Sequence, residues 1–407
     1  WPHQIGDLTP EKKIEFIAAW CTFWAEPSRS SGEVCYPNPK KSLTKANFAG
    51  IHEGRAWSAF PYYQLHETWA ESAEFKQFGD EWLRDLKNRH LPKSGSKVGD
   101  CQITVCQAAR SHQDFILSGY ERLQRQANPR GYYYDMSQPG ACNNVYHGCG
   151  YRDEYGQCHS TFNILGNREL VKRIYFHLKG HRPDGMLLYH NSGQIALPVH
   201  SFADLLLDGE NTYPRLDRKE NRGYEKFLTL DTYRAQYMGH NFGPAVGLLP
   251  QFTRAGSIRR EEAEELGPQH AEYVLGLVLL HDSQLWIAYF YDDKPLRTLY
   301  TALEKHDFAT GNYSFIPYWK QKIISPLPET EAVASFYVNQ PQGKALLVLM
   351  NMSGKSKDIS LPLDTGVLGF APKSISNACH SEAVMLENGR LQLPNLPSHT
   401  YRLLVLE

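Results

Sequence analysis

At 407 residues, 42% of them hydrophobic and 21% charged, the chain has room for one large domain plus a smaller one and is too apolar to remain disordered. Lys and Arg (43) nearly balance Asp and Glu (44), leaving a formal net charge of −1 and no basic tract to follow a phosphate backbone, which argues against nucleic acid as the main partner. No apolar run approaches the roughly 20 residues of a membrane helix, so no membrane span is expected. The chain begins at Trp1 rather than Met. That start predicts a processed or trimmed product in a periplasmic or extracellular setting, its export signal out of view.

In chain order, apolar Ile14 to Ala25 reads as a first strand ending at Trp24, although Pro10-Glu-Lys-Lys has the character of a helix start. Leu43 to Arg55 is predicted as a helix and the aromatic Ala56 to His66 as a second strand ending at His66-Glu67. Phe75, Phe78, Trp82 and Leu86 fall at helical spacing within Glu71 to Leu86. Cys101 to Cys106 reads as a third strand, followed by a helix capped by Ser111 with the stripe Phe115, Ile116, Tyr120 and Leu123. Tyr132 to Asp135 is the fourth strand. Asn167 is expected to cap the next helix, whose Leu170, Val171, Ile174, Tyr175 and Leu178 share a face and which Gly180 ends.

Met186 to Tyr189, Phe202 to Leu207, Gly243 to Phe252 and Leu285 to Phe290 supply strands five to eight, with a helix over Glu261 to Leu280. Eight strands alternating with helices predict a (β/α)8 TIM barrel over residues 1–320. From Ser325 the texture changes to short strands parted by Gly, Pro, Asn and Ser, which predicts a small C-terminal antiparallel β-sandwich over 325–407.

Eight cysteines are too few for a disulfide scaffold of this length. Cys142, Cys149 and Cys158 cluster with His147 and His159 but lack the closely spaced pairs of zinc sites, so a disulfide or buried thiols are expected there and no metal. Cys101 and Cys106, five residues apart, point to opposite faces of a straight strand, which argues against a bridge between them.

Three apolar runs stop at reactive side chains: Gly131-Tyr-Tyr-Tyr-Asp135, Met186-Leu-Leu-Tyr-His190-Asn-Ser192 and Ser201-Phe-Ala-Asp-Leu-Leu-Leu-Asp208-Gly-Glu210. Groups that perform chemistry in β/α barrels sit where the strands end, and here they are mostly carboxyls. Two carboxyl groups are what glycosidic cleavage requires: one stabilises or attacks the anomeric carbon and the other delivers a proton to the leaving oxygen. Asp135 is the expected nucleophile or anionic stabiliser, flanked by tyrosines able to donate to it. Glu210 and Asp208 are alternative candidates for the acid, Glu210 having the longer reach and Gly209 freeing the backbone. Asp204 is expected in the wall, paired with His200 or an Arg. His190, Ser192, Trp24, His66, Tyr134, His240 and Asn241 are expected to bind sugar by stacking or hydrogen bonds. Glu67 and Glu71 read as a solvated or helix-starting pair, Asp153-Glu154 as loop surface, and His281-Asp282 as a helix end.

Tyr134-Asp135, His147-Gly-Cys-Gly, Arg168-Glu-Leu-Val-Lys-Arg, Pro183-Asp-Gly, His190-Asn-Ser, Ser201-Phe-Ala-Asp, Asp208-Gly-Glu, His281-Asp282 and Phe315-Ile-Pro-Tyr-Trp form an ordered set over roughly residues 10 to 350. In that set the chain resembles a bacterial glycoside-hydrolase-like family, a domain of unknown function related to the family-123-like hydrolases. The resemblance implies a catalytic barrel with a C-terminal β-domain, many relatives carrying a further β-rich domain ahead of the barrel. It leaves the sugar open. The placement of the carboxylates on strands four and six is also similar to retaining α-galactosidase-type enzymes.

The resulting expectation is a glycosidase acting on an oligo- or polysaccharide, retaining, without cofactor. Substrate-assisted N-acetylhexosaminidase action and a non-catalytic carbohydrate-binding protein are the alternatives. A metal-dependent hydrolase lacks the paired-histidine strand motif it would want. Oligomeric state is not legible.

Overall fold

The computed structural model of the chain describes residues 21–22, 35–39, 41, 60–86, 102–191, 195–216, 218, 223–238, 243–252, 260–286, 290, 292, 294–308, 311–324 and 331–407. Two compact units emerge, one comprising 15–208 with 242–245 and the other 1–14, 209–241 and 246–407. The predicted helix at Leu43 to Arg55 lies outside the described residues, as do Trp24, Ser192, His240 and Asn241.

In the first unit the chain runs through β1 (Cys21–Thr22), β2 (Phe60–Gln64), β3 (Glu67–Trp69), α1 (Ala73–Trp82), β4 (Gln102–Thr104), α2 (Arg110–Ala127), β5 (Gly131–Asp135), α3 (Ile164–His181), β6 (Met186–His190) and β7 (Leu205–Asp208). Strands β1, β2, β5, β6 and β7 form a parallel sheet in that order. The predicted third strand is not in it: β4 pairs antiparallel with β3. The reason is a satellite core in which Ile103 and Val105 pack with Phe75, Trp82 and Leu83 at the end of α1, while Val105 N–H donates to the His66 carbonyl.

The sheet register explains why the tyrosine run is a strand and why its members differ in role. Tyr133 stands beside Tyr62 and Leu188, whereas Tyr134 stands beside Tyr63 and Tyr189. Alternation therefore puts Tyr133 and Asp135 on one face and Tyr132 and Tyr134 on the other. The second face is covered by helices: Tyr120 of α2 packs on Tyr132 and Tyr134, and His177 of α3 on Tyr132. Gly131 begins the strand where Phe60 and β6 approach closely, since a Cβ there would lie 2.3 Å from the Met186 carbonyl oxygen and 2.0 Å from the Phe60 ring. A ring can swing aside; a paired backbone cannot. Gly131→Ala is expected to cost about 2–3 kcal/mol, read as a lower urea midpoint, because overpacking against fixed backbone is destabilising; an unchanged midpoint would contradict this packing.

Two helix starts differ from expectation. Helix α2 begins at Arg110, and Ser111 Oγ accepts from Trp82 Nε1 at 2.7 Å rather than capping. Helix α3 is capped by Asn163, whose side chain accepts from Gly166 N–H at 2.8 Å; it runs past Gly180 to His181. Asn167, the expected cap, is buried within the helix and donates to Gln107 Oε1. Both asparagines suit a cap, and only the one with a free first turn serves.

The second unit contains α4 (Leu230–Tyr237), β8 (Ala245–Leu248), α5 (Arg260–Leu280), β9 (Gln284–Leu285), α6 (Lys294–Lys305), β10 (Ser314–Ile316), β11 (Ala332–Asn339), β12 (Lys344–Asn351), β13 (Lys357–Pro362), β14 (Ile375–Asn377), β15 (Met385–Glu387), β16 (Arg390–Leu396) and β17 (Tyr401–Leu406). Strands β8 and β9 pair in parallel. An antiparallel sheet in the order β10-β11-β12-β17-β14 and a second one, β13-β16-β15, share a core that includes Phe336, Leu347, Leu361, Leu391 and Leu404. The end of α5 is bound to this region, with the Leu279 and Leu280 carbonyls accepting from Tyr337 Oη at 2.6 Å and Ser335 Oγ at 2.8 Å. The texture change at 320–325 thus lies inside this unit.

Seven of the eight predicted strands are present as parallel strands, five in the first unit and two in the second. Among the described residues no pairing closes them into an eight-stranded barrel. No described helix is long and apolar enough to cross a membrane.

Candidate active site

The C-terminal ends of β2, β5 and β6 bring their reactive groups together around Asp135. Tyr62 Oη donates to Asp135 Oδ2 at 2.5 Å, and the Met136 amide donates to Oδ1 at 2.7 Å. His190 Nδ1 lies 3.3 Å from Oδ1 and 3.2 Å from Tyr133 Oη. An ionised carboxylate has about four lone-pair positions, so these contacts fix its plane while leaving it room to meet another group. The strand ends abruptly: Met136 has a φ of +52°, a left-handed conformation uncommon outside glycine.

Behind His190 a chain of hydrogen bonds sets its position. The Ala196 N–H donates to His200 Nδ1 at 2.9 Å, so the His200 proton sits on Nε2 and is donated to Ser137 Oγ at 3.1 Å. Ser137 in turn donates to the His190 carbonyl at 3.2 Å. Burial holds the His200 imidazole down to about 4, which keeps it neutral and this relay intact at ordinary pH.

Two further groups act on Asp135 from the turn after β2 and the start of β3, His66 and Glu67, and Arg84 lies beside Glu67. Burial, aided by Arg84 and opposed by the Asp135 charge, lowers His66 to about 4. Glu67 is shifted the other way: burial first, then the Asp135 charge, raises its carboxyl, and Arg84 pulls it partly back. His66 Nδ1, Glu67 Oε2 and Arg84 Nη2 are buried atoms with no hydrogen-bond partner among the described residues. Unsatisfied buried polar atoms are costly and therefore uncommon. Two on the neighbours of one carboxylate, with a third on the arginine beside Glu67, mark a place where a polar ligand or water belongs.

The expected site residues divide accordingly. Asp135, His190 and His66 meet. Tyr134 does not: it is fully buried on the helix-facing side between Tyr120 and Tyr189, and alternation along β5 is the reason. Asp208 is also fully buried, and the pairing of Leu206 with Tyr189 puts its parity on that same side. Glu210, just past Gly209, belongs to the second unit. Asp204 is paired, but with Lys179 Nζ at 3.1 Å and the Leu187 N–H at 2.8 Å rather than with His200 or an Arg. Asp153 binds His159 at 2.7 Å beside the exposed Glu154 in the loop. His281 ends α5, its Nδ1 against the Leu277 carbonyl at 2.8 Å, with Asp282 at a φ of +51°.

Sequence reasoning missed Tyr62, Tyr133, Arg84 and Glu67. Tyr62 was legible in principle, since it occupies the same position before the end of β2 that Tyr133 occupies in β5. Glu67 was not, because its environment is made by β4 and Arg84, remote in the chain. A groove in the second unit, lined by Asp231, Arg234, Met238, Phe315, Trp319 and Lys320, has Arg234 over the Trp319 ring at 5.3 Å. It offers one carboxyl among its described lining and is a poorer place for two-carboxyl chemistry.

Fully buried neutral histidines make an acid-sensitive fold. His200 and His281 are held to about 4 and His112 to about 3, all by burial first, against an ordinary value near 6.5. Below pH 6.5 the unfolded chain binds protons that the folded one refuses, so stability falls as pH drops towards 4. His200 alone contributes a loss on the order of 3 kcal/mol over that interval. Urea midpoints should decline from pH 7 to pH 4.5, and more shallowly in His200→Gln; a flat profile would contradict the buried neutral state.

No family model matches the chain, and no curated protein matches it. Solved structures do. An Anoxybacillus α-amylase matches at a TM-score of 0.57 and 11% identity, covering 98% of this chain and 89% of that one. Trehalose-6-phosphate hydrolase of Bacillus licheniformis matches at 0.55 and 11%, covering 98% and 94%. The family-36 α-galactosidase of Geobacillus stearothermophilus matches at 0.52 and 12%, covering all of this chain and 54% of that one. At such identities the likeness is one of fold: the chain has a glycoside-hydrolase-like fold.

Proposed function

We propose that the protein is a glycosidase that cleaves glycosidic bonds by a two-carboxyl mechanism centred on Asp135. The observation that carries the proposal is the carboxylate at a parallel-strand end, oriented by Tyr62, the Met136 amide and His190, with unsatisfied buried polar atoms on its neighbours His66 and Glu67. The fold it shares with α-amylases, a trehalose-6-phosphate hydrolase and an α-galactosidase supports the same chemistry.

In this reading Asp135 meets the anomeric carbon as the oxocarbenium-like state develops, and a protonated carboxyl serves the leaving oxygen. Glu67 suits the second role, because burial and the Asp135 charge both favour its protonated form. Glu210 is the competing donor, with Asp208 as a buried support. His190 orients Asp135, and His66 and Arg84 offer hydrogen bonds to sugar hydroxyls. Retention of configuration is the expected course, which calls for carboxyls about 5–5.5 Å apart, against about 6.5–9.5 Å for inversion.

A panel of aryl α- and β-glycosides tests this. Hydrolysis of at least one member is expected in the presence of a chelator, with the first-formed sugar keeping the substrate's anomeric configuration by NMR. Activity confined to 2-acetamido sugars would favour substrate assistance instead. Binding with no turnover on any glycan would leave a carbohydrate-binding protein.

A further inference from the structure

Between β5 and α3 the chain makes a long excursion whose side chains the glycosidase chemistry does not use. Cys142, His147 and Cys149 from this excursion meet Cys106 from the turn before α2, and their four ligand atoms all lie within 4.8 Å of one another. Cys106 Sγ is 3.8 Å from Cys149 Sγ, and Cys142 Sγ is 3.1 Å from His147 Nε2. A tetrahedral zinc ion with Zn–S bonds near 2.3 Å has sulfur–sulfur edges of about 3.8 Å.

The surroundings suit metal ligation at three of the four donors. His147 Nδ1 lies 2.8 Å from the Glu81 carbonyl, so it carries the proton and leaves the Nε2 lone pair facing the sulfurs. The Asn144 amide points at Cys142 Sγ (3.5 Å) and Asn163 Nδ2 at Cys149 Sγ (3.3 Å), donors that stabilise thiolates. Gly148 has a φ of +76°, and this left-handed step turns His147 and Cys149 towards the same point. All three cysteines are at most 4% exposed. As plain thiols they would have two clear acceptors, the Arg84 carbonyl at 3.3 Å and the His147 Nε2 lone pair at 3.1 Å, both at Cys142 Sγ. A Cys106–Cys149 disulfide needs sulfurs about 2.05 Å apart and would strand Cys142 against His147.

We propose that Cys106, Cys142, His147 and Cys149 bind one zinc ion, or another divalent ion with the same preference for a tetrahedral thiolate set. Four protein ligands leave no position for water, so the site is structural: it pins the excursion to the start of α2 and to the Arg84 segment. The sequence signal was masked because the fourth ligand, Cys106, lies far upstream of the other three.

The full-length chain purified from ordinary medium should contain one zinc per chain by elemental mass spectrometry. Exchange with Co(II) should give the thiolate-to-metal charge-transfer and visible bands of a tetrahedral site. Cys149→Ser and His147→Gln should retain less than a tenth of the metal, while Cys158→Ala, altering an exposed thiol outside the cluster, should retain all of it. If the ligand variants do not fold, a mercurial titrated into the native wild type should release one zinc to a chromophoric chelator. His181→Ala should also keep the metal; its loss there would place the ion at the Glu121–His177–His181 cluster on α2 and α3 and overturn the assignment. So would a metal-free chain with every thiol free under denaturing conditions, or non-reduced peptides showing a disulfide at Cys106, Cys142 or Cys149.

Discussion

Asp135→Asn is expected to lower kcat/KM on any glycoside the wild type cleaves by on the order of 10³-fold or more, about 4 kcal/mol of transition-state stabilisation. The substitution keeps the shape of the side chain and leaves the Met136 amide an oxygen to donate to. What it removes is the charge that faces the developing positive centre. Folding should survive, because Asp135 lies on the face of β5 shared with Tyr62 and His190, while the packing of the helices against the sheet depends on Tyr132 and Tyr134 of the other face. Circular dichroism and the urea midpoint check that survival. An Asn variant that is folded and retains activity within a few-fold would remove Asp135 from the chemistry.

Glu67→Gln carries the second large effect. A general acid must be protonated to act, and burial together with the Asp135 charge raises the Glu67 carboxyl. Activity in the wild type should therefore fall on the alkaline side as pH rises through that raised value. The Gln variant cannot donate a proton. It should lose about 10²–10⁴-fold on substrates with poor leaving groups, lose less on activated aryl glycosides, and show no alkaline limb. Glu210→Gln is the comparison that decides between the two donors. If the limb disappears with Glu210 and persists with Gln at position 67, the acid is Glu210 and Glu67 only tunes Asp135.

Much of the fold could be read from the sequence because parallel strands buried on both faces appear as unbroken apolar runs, and five such runs pair as the first unit's sheet. The third predicted strand misled because Cys101 to Cys106 has strand composition, and composition does not specify the partner. Its partner is the neighbouring Glu67–Trp69, and the core under it is a local one. Asp135 and His190 were legible as polar interruptions at strand ends. Tyr134 was misplaced by one residue of alternation: Tyr133 faces the carboxylate and Tyr134 the helices. Glu67 and Arg84 carry no local signature: the significance of Glu67 comes from burial and the charge of Asp135, and that of Arg84 from burial and its nearness to Glu67. The same holds for Cys106, whose partners lie beyond α2 and β5.

The central claim is that the Asp135 carboxylate meets the anomeric carbon. Rescue of Asp135→Ala by azide tests it most directly, because a small anion can occupy the space the side chain vacates. The account predicts azide-concentration-dependent recovery of turnover and a glycosyl azide of the anomeric configuration opposite to the substrate's. A folded Asp135→Ala protein that turns over normally without azide, or that azide leaves inactive while it rescues the corresponding Ala variant of Glu67 or Glu210, would contradict it.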